Sequence, residues 1–327
     1  MSSRFTLACA FACAGFALAA GPSQGADPAP AATAATAAPF GPVTMQRLML
    51  VDAARHGSRI VAIGDRGYIV LSDDEGKTWR RAKSPPAPLL TAIAMLDAKT
   101  GWAVGHDSII LATTDGGENW VQQFSAPSEQ RPLLDVHFLD KDRGYAIGAY
   151  GAFYETADGG RTWNPRKAIE DDKHLNAMLA LEDGRLVVLG EAGTILLSAD
   201  AGKTFTPVPS PYKGSLFGGV VAGDGSLVAF GLRGRIFRTT DGGKTWKGID
   251  NASVATLMGG TRLPDGTLVL AGAGGTVLVS RDNGQSFGPL ATGVTKAYAQ
   301  VLLGAPNRVL LFGETGASEV PLPTHKK

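Results

Sequence analysis

From Phe40 onward the chain is built of short apolar runs punctuated by glycine-rich turns. One stretch shows the unit. Leu133–Leu139 alternates around Val136 and Phe138, Gly144–Gly148 is a compact apolar run, Ala152–Thr156 is another, and Arg161–Arg166 follows an acidic turn. Alternation with period two predicts a strand buried on one face, and a short apolar run between turns predicts a fully buried strand. The unit therefore reads as four consecutive strands.

The unit repeats. A turn of the form Ser/Thr-x-Asp-x-Gly-x-Thr/Ser/Asn-Trp/Phe stands at Ser72–Trp79, Thr113–Trp120, Thr156–Trp163, Ser198–Phe205, Thr239–Trp246 and Ser280–Phe287, with its acids at Asp74, Asp115, Asp158, Asp200, Asp241 and Asp282, 41 to 43 residues apart. An apolar run closing on Gly-x-x-Gly precedes each turn, with Ser108 in the place of the last glycine in the second copy. It recurs a seventh time at Gly313–Gly316. Four strands in a period of about forty residues describe a propeller blade. The fold class is all-β, a seven-bladed β-propeller with four-stranded blades. The last unit has only three runs, Ala299–Leu303, Val309–Gly313 and Ala317–Leu322. Its missing outer strand is expected from residues 40–46, which would close the ring and remove the exposed edges. In the acidic turns the carboxylate and hydroxyl bond to turn backbone, glycine supplies an accessible φ, and the aromatic packs back into the blade. All six are read as structural, since one short turn such as Asp282-Asn283-Gly284 offers too few oxygens for calcium.

Composition adds bounds. Hydrophobic residues make up 44% of the chain, enough for a packed core, and a net charge of +1 gives no case for a nucleic-acid binder. Residues 1–26 read as a signal peptide, with Arg4 before the apolar stretch Phe5–Ala20 and small-residue cleavage options at Ala17–Ala19 and Gln24–Ala26. Residues 27–39 read as a flexible Ala/Pro/Thr linker and residues 40–327 as the propeller. Cys9 and Cys13 both fall in the signal, so the mature chain is expected to have no thiol. No later stretch approaches 18 apolar residues, so an exported, periplasmic protein without a membrane span is expected. The five histidines show no metal-ligand spacing. Neither metal nor cofactor is expected.

Thr100-Gly101-Trp102-Ala103-Val104-Gly105 followed by Thr113-Thr114-Asp115-Gly116-Gly117, with its parallel at Gly144–Gly148 and Ala157–Gly160, resembles the photosystem II stability and assembly factor family, seven-bladed propellers of neuraminidase-type Asp-box repeats. The resemblance covers Phe40 to Leu322. It implies a protein without enzyme activity that holds a newly made membrane reaction-centre subunit during assembly, using an arginine-rich face. The expected partner is thus a membrane protein or its exported segment, bound by a monomeric propeller. The alternative is a carbohydrate-active Asp-box propeller. Sialidases carry Arg-Ile-Pro, which this sequence lacks, and xyloglucanases of this kind set two propellers face to face.

In such blades the acidic turns share one face, while the Gly-x-x-Gly turns and blade connections share the other. The second face is where the repeat varies, and loops freed from packing carry function. The partner-binding candidates are Arg66, His106, Tyr150 and Arg233 in the turns, and Arg131, Arg166, Lys167 and Tyr212 in the connections. Glu191 and Glu314 are candidates to face each other across the channel mouth, and His137 is expected to be a satisfied strand histidine near the channel.

Overall fold

The computed structural model describes residues 43–323. The expected signal and linker, and residues 40–42 of the expected closing strand, lie outside them. Seven antiparallel sheets follow one another along the chain, six of four strands and the last of three, each in simple sequence order. Blade 1 comprises Leu50–His56, Arg59–Gly64, Ile69–Ser72 and Arg80–Arg81, and blade 3 comprises Leu133–Phe138, Gly144–Gly148, Phe153–Thr156 and Asn164–Pro165. Blade 7 is Tyr298–Leu303, Arg308–Gly313 and Gly316–Pro321.

The core lies between blades rather than within them. Val61, Ile63 and Leu71 of blade 1 meet Ile93, Ala103 and Trp120 of blade 2. Equivalent clusters fill the other interfaces, the seventh joining Leu310 and Phe312 of blade 7 to Leu50, Ile60 and Val70 of blade 1. A strand packed on both faces has no solvent side on which to alternate. Accordingly the second strands, such as Gly101–Gly105 and Leu227–Gly231, are buried at every position.

The six acidic turns share one bonding scheme. In the first, Ser72 Oγ donates to Asp74 Oδ1 at 2.8 Å and accepts Gly76 N–H at 2.8 Å, while Thr78 donates its amide to Oδ1 at 2.8 Å and its hydroxyl to Oδ2 at 2.7 Å. The later glycine of the turn has a second duty. A Cβ at Gly117 would lie 3.1 Å from Leu71 of the preceding blade, one at Gly202 2.6 Å from the Tyr145 ring, and one at Gly284 2.4 Å from Val228. The turn is thus both a staple within its blade and a contact with the one before.

Ring closure differs from the sequence expectation. Among the described residues blade 7 has three strands, and Met45–Arg47 forms a 3-10 turn. That turn lies against the last strand, and a Cβ at Gly316 would sit 2.1 Å from Met45 O. Met45 and Leu48 are buried with Leu310 and Phe312, so the segment covers the seam with side chains instead of a ladder. Two polar ties complete the seam. Arg55 Nη1 donates to Leu303 O at 2.6 Å and Gly304 O at 3.1 Å, and Gln300 Nε2 donates to Asp52 Oδ1 at 2.8 Å.

Candidate functional site

The Gly-x-x-Gly turns and the blade connections lie on one face, held by a bond that recurs in all seven blades. The residue before each inner strand accepts the amide that follows the first turn glycine: Asp65 N to Met49 O at 3.0 Å, Ala149 N to Pro132 O at 2.8 Å, and Glu314 N to Ala297 O at 3.2 Å in the last blade. The residue at each turn apex adopts a left-handed conformation in blades 1 to 6, with φ of 53° at Arg66, 55° at Tyr150 and 58° at Arg233. That region disfavours side chains bearing a Cβ by about 1 kcal/mol. Gly274 occupies the same place in blade 6. Arg66 and Tyr150 are held there by the frame and project outward, 81% and 53% exposed.

The sequence candidates separate into two groups. Arg66 has only a loose ion pair with Asp65 at 3.4 Å, and His106 is exposed beside the apex of its turn. Arg233 is exposed and has no hydrogen bond or ion pair among the described residues. The Arg131 guanidinium is likewise free of one, although its carbonyl accepts Ser108 Oγ at 2.7 Å. Tyr150 meets His174 edge to face at 4.9 Å. These five side chains are available to a partner. Arg166 and Tyr212 are committed to the fold. Arg166 pairs with Glu155 at 2.7 Å, reaches Lys203 O and lies over the Phe153 ring at 5.3 Å. Tyr212 donates its hydroxyl to Leu232 O at 3.1 Å and packs on Phe237. Lys167 pairs with Glu170 and stays 62% exposed.

Blade 3 gathers the densest set. Its turn is bonded on one side to Pro132 O and on the other to Lys173 O, so Tyr150 stands between the connections that enter and leave its blade. A cavity of about 290 Å³ lies on one flank, with Arg131, Phe153 and Arg166 in its wall. Tyr154 closes it by donating to Glu129 at 2.6 Å, and burial together with that carboxylate pushes the phenol up to about 12. A second cavity of about 490 Å³ is lined by Lys167 and Lys173 at its rim and by Ile169, Ile195 and Val208 below. The apolar floor of the second cavity, with Lys167 and Lys173 paired to Glu170 and Asp171 at its rim, suits an extended peptide carrying apolar side chains.

The channel holds carboxylates that the sequence reading did not single out. Each inner strand bulges near its start, and the residues there surround a cavity of about 210 Å³. Asp52 and Asp135 face it. Burial pushes Asp52 up to about 6 against the hydrogen bonds from Gln300, Ile93 and Ala53, and pushes Asp135 up to about 7 with help from the charge of Asp52. The signal was a shared repeat position, two residues past Leu50 and Leu133. Glu191 and Glu314 instead act locally, Glu191 accepting His174 N–H at 3.2 Å and Glu314 facing Lys296 at 3.8 Å. His137 lies on the inner strand of blade 3 outside the channel lining, and burial lowers its pKa. Among the described residues no group of three or more histidine, cysteine or carboxylate side chains is placed to hold a metal.

Comparison with known proteins bears on this frame. Residues 121–271, from the outer strand of blade 2 to the second strand of blade 6, match the family described as Photosynthesis system II assembly factor YCF48. Over that stretch the chain is similar to the photosystem II assembly factor family. Among solved structures it is similar to one described as YCF48 bound to D1 peptide, at 20% identity and a TM-score of 0.68, covering 89% of this chain and 99% of the other. It is also similar to YCF48 from Cyanidioschyzon merolae, at 16% identity and a TM-score of 0.65, covering 87% and 98%. A xyloglucanase of glycoside hydrolase family 74 from Xanthomonas campestris shares the fold at 14% identity and a TM-score of 0.65, covering 85% of this chain but 52% of the enzyme. At these identities the structural likenesses establish the propeller and nothing finer. No curated protein matches the chain.

Proposed function

We propose that this assembly factor-like propeller is exported and, as a non-enzymatic monomer, holds a polypeptide segment of a membrane protein during assembly of its complex. The segment lies on the face of the Gly-x-x-Gly turns, across blade 3. The family match over residues 121–271 carries this reading, because it spans blade 3 and both cavities beside it. The relative described as bound to a D1 peptide supports a polypeptide as the ligand class. Among the described residues no helix is long and apolar enough to cross a membrane.

Local geometry supports the choice of face. Arg66, Tyr150 and Arg233 stand at equivalent turn apices in blades 1, 3 and 5, each in a left-handed conformation with its side chain exposed. Arg131 adds an uncommitted guanidinium beside an aromatic wall. Purified mature protein is to be tested for binding to synthetic peptides spanning the exported segments of candidate membrane subunits, beside the Arg66→Glu/Arg131→Glu/Arg233→Glu variant. Loss of binding at unchanged Tm supports the reading. Wild-type hydrolysis of sialosides or β-glucans, with no peptide bound, would move it to the carbohydrate-active alternative.

A further inference from the structure

The turn of blade 5 is clamped by the connections on either side of it. Tyr212 donates its hydroxyl to Leu232 O at 3.1 Å from the connection before, and Asn251 Nδ2 donates to Gly234 O at 2.8 Å from the connection after. Both loops are therefore fixed beside the turn. Asn251 Oδ1 also accepts Ser253 N–H at 2.9 Å, and Ser253 Oγ accepts Ala255 N–H at 3.1 Å, so side chains brace the loop on either side of Val254. Val254 is nevertheless 85% exposed, the most exposed large apolar side chain among the described residues. The next connection is tied in the same way, Thr292 Oγ1 donating to Gly275 O at 3.2 Å, and it carries exposed Val294.

The cations of this sector have few counter-ions. Residues 208–215, 232–235, 250–256, 273–276 and 290–297 contain Lys213, Arg233, Arg235 and Lys296 against one acid, Asp250. Lys213, Arg233 and Arg235 are exposed, and their side chains make no hydrogen bond or ion pair among the described residues. Lys296 faces Glu314 at 3.8 Å. Elsewhere on the face cations stand beside acids, Arg66 by Asp65, Lys167 by Glu170 and Lys173 by Asp171. Between the cations of blades 5 and 6 the loops present Pro209, Pro211, Ala252 and Ala291 to solvent.

We propose that the sector of blades 5 and 6 on this face docks on an anionic phospholipid bilayer, with Val254 entering the headgroup layer and Lys213, Arg233 and Arg235 lying beside lipid phosphates. An anionic surface attracts cations near it, each worth about fivefold in binding. Guanidinium groups match phosphate oxygens with paired N–H donors, and these two arginines have their donors free of protein partners. Membrane attachment of this kind adds the burial of apolar side chains among the headgroups to the attraction of the charges. A valine braced clear of the protein surface suits such a yielding interface. A bound peptide segment is better received by a concavity, and the cavities of about 290 and 490 Å³ lie around blades 3 and 4. Docking by this face would turn blade 3 towards the bilayer from which an exported segment of a membrane protein emerges.

Cosedimentation of the mature protein with vesicles of phosphatidylcholine alone, and of equal parts phosphatidylcholine and phosphatidylglycerol, tests the docking. Wild type is expected to sediment with the mixed vesicles and not with the neutral ones, and to be released by salt. Its affinity is expected to fall about twentyfold or more in Lys213→Glu/Arg235→Glu, which leaves Arg233 in place so that loss of bilayer binding can be told from loss of peptide binding. Val254→Trp reads insertion directly, since its emission, compared with wild type, is expected to shift to the blue when mixed vesicles are added. Wild type that stays in solution with mixed vesicles, equal binding to neutral ones, or equal binding by the double variant overturns the proposal. Should the double variant not fold, the Val254→Trp emission decides: a blue shift supports docking, and emission that mixed vesicles leave unchanged overturns it.

Discussion

Gln300 Nε2 lies 2.8 Å from Asp52 Oδ1, across 248 residues of sequence, and joins the first inner strand of the ring to the last. Among the described residues no ladder joins the two ends, and Arg55 and the buried Met45 and Leu48 supply further ties. Gln300→Met keeps the shape and removes the donor, and is expected to cost about 1–2 kcal/mol in urea unfolding. Arg55→Met removes bonds to two carbonyls and to Glu75, and is expected to cost as much or more. An unchanged denaturation midpoint in both would show that the apolar seam alone closes the ring.

The acidic turns depend on the hydroxyl as much as on the acid. Thr156 is 4% exposed, donates to Asp158 at 2.9 Å and accepts Gly160 N–H at 2.8 Å. Thr156→Val strands that buried amide and is expected to cost about 1–3 kcal/mol, read as a lower urea midpoint at constant slope. Bonds from Thr78, Thr162 and Thr204 hold Asp74, Asp158 and Asp200 down at about 2. Depressed folded values mean that stability present above about pH 4 is lost as pH falls towards 2. Together with the raised channel acids this places maximal Tm between roughly pH 4 and 6, and a Tm that keeps rising to pH 8 would contradict it.

Two adjacent glycines are expected to behave oppositely. Gly274 and Gly275 both have positive φ, 63° and 74°, but a Cβ at Gly274 meets nothing within 4 Å whereas one at Gly275 would lie 1.8 Å from Val294 O. Gly274→Ala only reproduces what Ala192 already does in blade 4, at about 1 kcal/mol. Gly275→Ala must displace the connection between blades 6 and 7, and is expected to lower Tm by several degrees more. Equal Tm values for the two variants would show that the conformation, not the close approach, fixes glycine there.

The blade count, the boundaries of blade 3 and the role of the acidic turns were legible because each is written locally and repeated. Leu133 to Arg166 carries its strands in its own pattern. Closure was not legible, because Met45 and Leu48 cover blade 7 through burial, which no turn or alternation announces. The channel was hidden for a related reason. Asp52 and Asp135 sit in apolar strands, and only the bulge aligns them with Gln300, a long-range geometry absent from either segment alone. Among the surface candidates, exposed Arg233 and committed Arg166 look alike in sequence, and their difference comes from Glu155 and Phe153 of the neighbouring strand.

The central claim is that the face of the Gly-x-x-Gly turns holds a membrane protein's polypeptide segment. The most direct measurement is capture from detergent-solubilised native membranes by wild type, by Arg66→Glu/Arg131→Glu/Arg233→Glu, and by Lys99→Glu/Lys244→Glu on the acidic-turn face, with the crosslinked segment mapped by mass spectrometry. The account predicts one membrane complex, crosslinked through one segment near Tyr150, recovered by wild type and by the acidic-turn variant and lost from the triple arginine variant. Equal recovery by all three, or loss only from the acidic-turn variant, would contradict it.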